Sequence, residues 1–212
     1  MLRVLQQLRE LQNHIMQDNY QLFVSQLDAV CREFPHLQIK TLDGRQYLKG
    51  SIEISNAEQT ATKSYLIEIH FSDDFPHRFP KLFEVGGDIP CEADFHKYPD
   101  NSCCITAPID EFFKCKSGIT ILRFVKEEVI PYLANQWYRQ IAGKYKNEYS
   151  HGHKGQVEGY YDYAFGEKKN NLGRNDMCFC GSKKKYKKCC HTEISKWQQI
   201  GKERVKNYLN NI

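Results

Sequence analysis

The sequence predicts an α+β fold in which helices flank an antiparallel β-meander, with a small cysteine-rich appendage at the C-terminus. Three observations carry that prediction. Apolar residues recur at helical spacing near the N-terminus and again after residue 117. Short β-branched and aromatic runs, separated by turn residues, fill the stretch between. Four cysteines then crowd into a basic segment close to the C-terminus. Strands grouped together and helices grouped beside them indicate segregated α+β layers.

Leu5, Leu8, Leu11 and Ile15 form the first helical stripe, and Phe23, Leu27, Val30 and Phe34 the second. Asp18 is a plausible N-cap between them, and Pro35 stops the second helix. The period then changes. "LQIKT", "QYLKGSIEI" and "SYLIEIHF" are strand-like, with Asp43-Gly44 as a turn signal, and they imply an antiparallel meander. Pro76 and Pro80 in "FSDDFPHRFPKLFEV" frame a bend before a further edge strand. Residues 86–118 show no clear period and hold four of the nine cysteines. A long helix is expected from near Ser117, with Leu122, Val125, Val129, Leu133 and Trp137 as its buried stripe and a kink at Pro131. A glycine- and tyrosine-rich segment, "HGHKGQVEGYYDYAFG", closes the body. Ile194, Trp197, Val205 and Leu209 predict a short amphipathic helix at the end.

Charge divides the chain. Residues 168–206 carry 12 Lys/Arg against 3 Asp/Glu, a net of +9 within a total of +4, so the remainder is acidic at −5. The step sets an expected boundary, with a body over 1–167 and a basic tail over 168–212. The opening "MLRVLQQLRELQNHIMQDN" is interrupted by polar and charged residues too often for a signal peptide. No apolar run is long enough to span a bilayer. The expected location is cytoplasmic, where nine cysteines stay reduced and do not build a disulfide framework.

In the tail, Cys178 and Cys180 are one residue apart, and eight residues separate them from the adjacent Cys189 and Cys190. Four thiolates can surround one Zn²⁺ if a tight turn brings the two pairs face to face. Gly181 and Ser182 supply residues suited to that turn. The surrounding lysines favour thiolate over thiol. A redox pair would normally be Cys-x-x-Cys beside a βαβ pattern, which is not found here. Gly173, Arg174, Asn175, Asp176, Cys178, Cys180, Gly181, Ser182, Lys185, Tyr186, Lys187, Cys189 and Cys190 together resemble the SEC-C motif. That resemblance makes Cys178, Cys180, Cys189 and Cys190 the ligands of one structural zinc, a zinc knuckle, with His191 an alternative fourth ligand. A basic loop pinned by zinc is suited to acidic partners, whether protein, nucleic acid or anionic lipid.

The body's chemistry is expected in "IPCEADFHKYPDNSCCITAP". A catalytic thiol needs access, a proton-handling group and an oxyanion donor. The turn-forming run "YPDNS" leaves Cys103 and Cys104 accessible, and His96 lies eight residues before Cys104. Alternation turns Cys103 away from Cys104, towards the core. Cys31 and Cys91 are expected to be small core residues. The order of elements, the bend "FPHRFP" and the run "NSCCI", with Asn101 in a glycine place, resemble bacterial ubiquitin-conjugating-like (UBC-like) domains over residues 19–142. That resemblance implies a UBC-like fold with Cys104 as nucleophile. His96 takes the place of the family's asparagine, and its imidazole can accept a proton as well as donate.

The function implied by the resemblance is a thioester transferase. Cys104 would carry an acyl group and pass it to an amine. A ubiquitin-like or otherwise C-terminally activated protein and an activating enzyme would be its partners, with antiphage defence a context of such relatives. A non-catalytic adaptor that binds protein, ribosome or nucleic acid through the knuckle is the alternative. A cysteine hydrolase pairing Cys104 with His151 or His153 is disfavoured. It would need a helix starting at the nucleophile, and Pro108 with acidic neighbours follows instead.

Overall fold

A computed structural model describes residues 2–56, 59–146, 148–150, 152–166 and 172–212. It divides the chain into two compact units, one of residues 1–105 and 118–146, the other of 106–117 and 147–212. The charge step at 168 and this division therefore mark different places. Residues 106–117 leave the first unit and return to it, so a short loop of the body is built into the C-terminal unit.

The first unit opens with α1 (Leu2–Val24) and α2 (Leu27–Glu33). Asp18 does not begin a helix. It lies inside α1, because no glycine or proline interrupts residues 2–24, and the chain first breaks at Ser25 and Gln26. α2 does end where expected, one residue short of Phe34, since a residue before proline avoids the helical region. Leu5, Leu8, Leu11 and Ile15 are all exposed by half or more. The C-terminal part of α1 is the part that packs. The Tyr20 hydroxyl accepts from the Gln46 backbone N–H at 2.7 Å, and the Phe23 ring meets Phe71 and Phe75 edge-on.

Four strands follow, β1 (Leu37–Leu42), β2 (Arg45–Ser55), β3 (Thr62–His70) and β4 (Lys81–Glu84). They form an antiparallel sheet in the order β1-β2-β3-β4, with Leu48 opposite Ile69 and Ile67 opposite Glu84. Alternation along β2 and β3 buries Leu48, Ile52, Ile54, Tyr65, Ile67 and Ile69 on one face. Each such side chain, fully buried, contributes about 1.5–3 kcal/mol. Gly50 is required in β2, because a Cβ there would sit 1.9 Å from the His36 carbonyl oxygen.

The long helix is three pieces in line. α4 is Ile121–Phe124, a π-helical stretch covers Val125–Val129, and α5 is Ile130–Ala142. α4 is preceded here by α3, the helix of residues 108–115 that belongs to the other unit. The π stretch sits directly before Pro131, where a proline has no N–H and collides with the carbonyl four residues back. The expected stripe is buried at Val125, Val129 and Leu133. Ile121, Phe124, Val125, Val129, Tyr132, Leu133 and Gln136 are buried, whereas Leu122 and Trp137 are only half-buried.

The second unit contains α3 (Pro108–Cys115), α6 (Gly152–Phe165), the cysteine knuckle, α7 (His191–Gln198) and α8 (Lys202–Leu209). The proline and acidic residues that disfavour a helix starting at Cys104 are the start signals of α3, four residues further on. Pro108 occupies the first turn, where its missing N–H costs nothing, and Asp110 and Glu111 favour the positive end of the helix dipole. "HGHKGQVEGYYDYAFG" supplies α6. The single C-terminal helix expected is in fact two, separated at Gly201, whose φ is +92°. The core of this unit gathers Ile109, Phe113, Tyr163, Cys178, Cys180, Tyr186, Cys190 and Ile194. Among the described residues, no helix is long and apolar enough to cross a membrane.

Candidate metal centre and cysteine loop

The knuckle is a small hairpin. Met177 bridges Lys185, and the Cys178 N–H bonds to the Lys184 carbonyl at 2.8 Å. Gly181 turns the chain in the left-handed region at φ +77°. A 3₁₀ turn over Tyr186–Lys188 then delivers Cys189 and Cys190 to the start of α7. The residues before the first cysteine have evident work. The Asp176 carboxylate accepts from the Gly173 N–H at 2.7 Å, and the Asp176 carbonyl accepts from the Tyr186 N–H at 2.8 Å.

These turns bring the Sγ atoms of Cys178, Cys180, Cys189 and Cys190 within 4.8 Å of one another. Cys180 lies 3.5 Å from Cys178 and 3.4 Å from Cys189, and Cys189 lies 3.8 Å from Cys190. Zn–S bonds of about 2.3 Å at tetrahedral angles place sulfurs about 3.8 Å apart. The four cysteines therefore fit a single metal ion such as zinc. His191 does not enter the set. Its Nε2 is 3.3 Å from the Arg174 guanidinium, and its Nδ1 is 3.3 Å from the Ser195 hydroxyl.

Burial pushes the Cys178 and Cys190 thiols up. Burial would also raise Cys180, but hydrogen bonds from Ser182 and from the neighbouring thiols outweigh it and bring it down to about 6. Three elements of the unit surround the sulfurs. Ser182 Oγ is 3.2 Å from Cys189 Sγ. Lys116 at the end of α3 donates to Glu193 at 2.8 Å, and although burial lowers that ammonium's pKa, the hydrogen bond to Glu193 and the neighbouring charges together outweigh it and raise it. Metal binding must displace protons from Cys178 and Cys190, so affinity should fall as pH falls. We expect a loss of at least about tenfold per pH unit below neutrality, read by competition with a chromophoric chelator. An affinity independent of pH would contradict a thiolate ligand set.

The other candidate site is a loop of the first unit. Lys97 bridges Cys103, and the Cys104 N–H bonds to the His96 carbonyl at 2.7 Å, so His96 and Cys104 stand across from one another on a two-stranded hairpin. The turn between the strands closes with the Asn101 N–H on the Tyr98 carbonyl at 2.8 Å. Asn101 holds φ +65°, and asparagine is among the few non-glycine residues that tolerate it. Cys103 is 7% exposed, while Cys104 is half-buried. The alternation expected from sequence is seen. Burial raises the Cys103 thiol, with the Tyr132 hydroxyl as its hydrogen-bond neighbour.

Side chains that no sequence motif marks hold this hairpin. Tyr132 and Gln136, one turn apart on α5, donate to the His96 and Phe95 carbonyls at 3.2 and 2.8 Å. Arg139, on the same helix face, lays its guanidinium over the Phe95 ring at 3.6 Å. The His96 ring packs against Tyr145 at 4.6 Å. Underneath, Lys97 and Glu84 are an ion pair at 3.6 Å with side chains only 2% and 0% exposed. Lys97 also donates to the Glu84 carbonyl and to Asn101 Oδ1, and the Glu84 carboxylate accepts from the Gly86 and Ile89 N–H groups. A polar residue on a buried helical stripe, as Gln136 is, was the available signal. Glu84→Ala should strand the Lys97 charge and destabilise the first unit by about 3–5 kcal/mol, measurable by urea unfolding. A change below 1 kcal/mol would show that the pair is dispensable.

The remaining cysteines are dispersed. Cys91 is exposed and not a core residue, because it lies in a loop with its thiol donating to the Tyr98 carbonyl at 3.5 Å. Cys31 is half-buried, and Cys115 is buried within α3 of the second unit. His151 lies outside the described residues. His153 is exposed on α6, with its Nε2 2.9 Å from the Tyr208 hydroxyl.

Comparison with known proteins addresses the knuckle. Residues 174–192 match the SEC-C motif. A stretch of 24 residues is 71% identical to the protein translocase subunit SecA of Clostridium botulinum strain Hall, and equally to that of strain Okra. The stretch is 11% of this chain and 3% of those relatives' own length. No solved structure matches the chain.

Proposed function

We propose that the first unit is a ubiquitin-conjugating-like domain that carries an acyl group on Cys104 and passes it to an amine. The observation that supports this most is the hairpin, which sets His96 opposite Cys104 while turning Cys103 inward. The Cys104 thiolate attacks an activated thioester presented by an activating enzyme, and that enzyme's cysteine leaves as a thiolate. A new thioester links Cys104 to the C-terminal carbonyl of a ubiquitin-like or comparable protein. An acceptor amine then attacks that carbonyl. His96 takes the amine's proton or donates to the oxyanion, and Cys104 leaves as thiolate. The knuckle holds one structural Zn²⁺ per chain on Cys178, Cys180, Cys189 and Cys190, and the location that suits reduced thiols is the cytoplasm. Charging Cys104 with its carrier, in wild type and in Cys104→Ala, tests the transfer.

A second function draws on the knuckle's surface. Lys183, Lys184, Lys185, Lys187 and Lys188 are all exposed on it. Such a surface supports an adaptor role towards an acidic protein, nucleic acid or anionic lipid. Replacing these five lysines with glutamine should abolish salt-sensitive binding to single-stranded RNA. Undiminished binding would rule the surface out.

A further inference from the structure

The chain leaves Cys104 through Ile105 and at Thr106 enters the unit that contains the four-cysteine centre. α3 begins only four residues after Cys104. Its apolar residues lie in the same core as the candidate ligands, with Phe113 0% and Ile109 5% exposed beside Cys178, Cys180 and Cys190. The Phe113 ring stacks on Tyr163 at 4.5 Å and meets Phe179 and Trp197 edge-on at 5.1 and 5.5 Å. Phe179 lies between the first two cysteines in sequence, so the ring that Phe113 touches is placed by the ligands themselves. Asp110 accepts from the Tyr163 hydroxyl, and Lys116 donates to Glu193 in α7. Ile109 packs so closely on Gly159 that a Cβ there would lie 2.7 Å from Ile109 Cγ2.

An eight-residue helix has little stability of its own. α3 therefore persists because the knuckle core holds it, and small cysteine knuckles depend on their metal for their fold. We propose that Ile109 and Phe113 are positioning residues, through which metal in the knuckle fixes the chain leaving Cys104. The proposal rests on Cys104 being the reactive thiol of the body. The hairpin anchors one end of the Cys104 segment, and the metal-dependent core anchors the other. Loss of metal frees α3, and the restraint on residues 105–107 goes with it.

The full-length, zinc-loaded protein can be compared with the same protein after EDTA treatment, by hydrogen exchange and by site-resolved alkylation with iodoacetamide. Metal removal should speed exchange in residues 108–117 and expose the buried Cys115 thiol, each by at least about tenfold. Exchange of the Cys104 amide and alkylation of Cys104 should rise several-fold with them. Cys31 and the β2–β3 amides, which belong to the first unit alone, should not change. Phe113→Ala keeps all four cysteines and should reproduce the faster exchange at Cys104 with metal still bound. If residues 108–117 open while Cys104 exchange and alkylation stay constant, the hairpin alone fixes the thiol and the inference is overturned. If the Phe113 variant does not fold, the EDTA comparison decides. A Cys104 that responds to metal but never accepts an acyl group would reject the transferase function and leave this coupling standing.

Discussion

Cys178→Ser combined with Cys180→Ser is expected to abolish metal binding and unfold the knuckle. A serine hydroxyl is not deprotonated near neutral pH and is a poor substitute for a thiolate, so two of four ligands are lost together. The remaining pair, Cys189 and Cys190, cannot close a tetrahedron. The free energy at stake is large, because a structural zinc in a small domain contributes about 10–16 kcal/mol of apparent binding energy near neutral pH. Metal analysis should fall from one ion per chain to none. Amide protection over residues 172–198 should collapse, while β1–β4, whose core draws on Phe23, Leu48, Tyr65 and Ile67, remains protected. His191→Ala should keep its metal, because the imidazole contacts Arg174 and Ser195 instead of the sulfur cluster. Full metal content in the double serine variant would contradict the four-cysteine centre.

What the sequence revealed depended on whether local chemistry decided the outcome. The knuckle was legible nearly residue by residue, because its ligands, its turn glycine and its capping Asp176 all act within 20 residues of one another. The meander was legible from alternation, which is also local. The turn in "YPDNS" was legible because turn residues answer a local demand, and Asn101 meets it at φ +65°. The failures arose where the context was distant. Asp18 has the chemistry of a cap, yet an uninterrupted run of helix formers carried α1 through it. Pro108 has the chemistry of a helix breaker, yet a proline in the first turn starts a helix as readily as one in the interior ends it. Val125, Val129 and Leu133 were legible as a buried stripe, but at its two ends Ile121 and Gln136 are buried in place of Leu122 and Trp137. The buried Lys97–Glu84 pair and the grip of Tyr132 and Gln136 on the loop join segments far apart in sequence. Charge composition placed a boundary at 168, whereas packing placed residues 106–117 with the C-terminal unit.

The thiol chemistry has the second large expected effect. If Cys104 carries the acyl group as proposed, Cys104→Ala removes the sulfur of the thioester, so its effect is expected to be all or none, unlike a graded loss. His96→Ala leaves the proposed nucleophile in place and removes its proposed proton acceptor or oxyanion donor, a change expected to cost about 10²–10⁴ in rate. It should therefore charge normally and discharge slowly. Cys103→Ala should charge as wild type, because that side chain is buried against Tyr132.

Intact-mass analysis of the protein after incubation with ATP and the activating enzyme and carrier that the proposal requires tests the central claim most directly. Wild type should gain the mass of one carrier less one water, and a reducing agent should remove it. Cys104→Ala should gain nothing under the same conditions. Equal charging of wild type and Cys104→Ala, or an adduct retained after reduction, would contradict Cys104 as the acyl-bearing thiol.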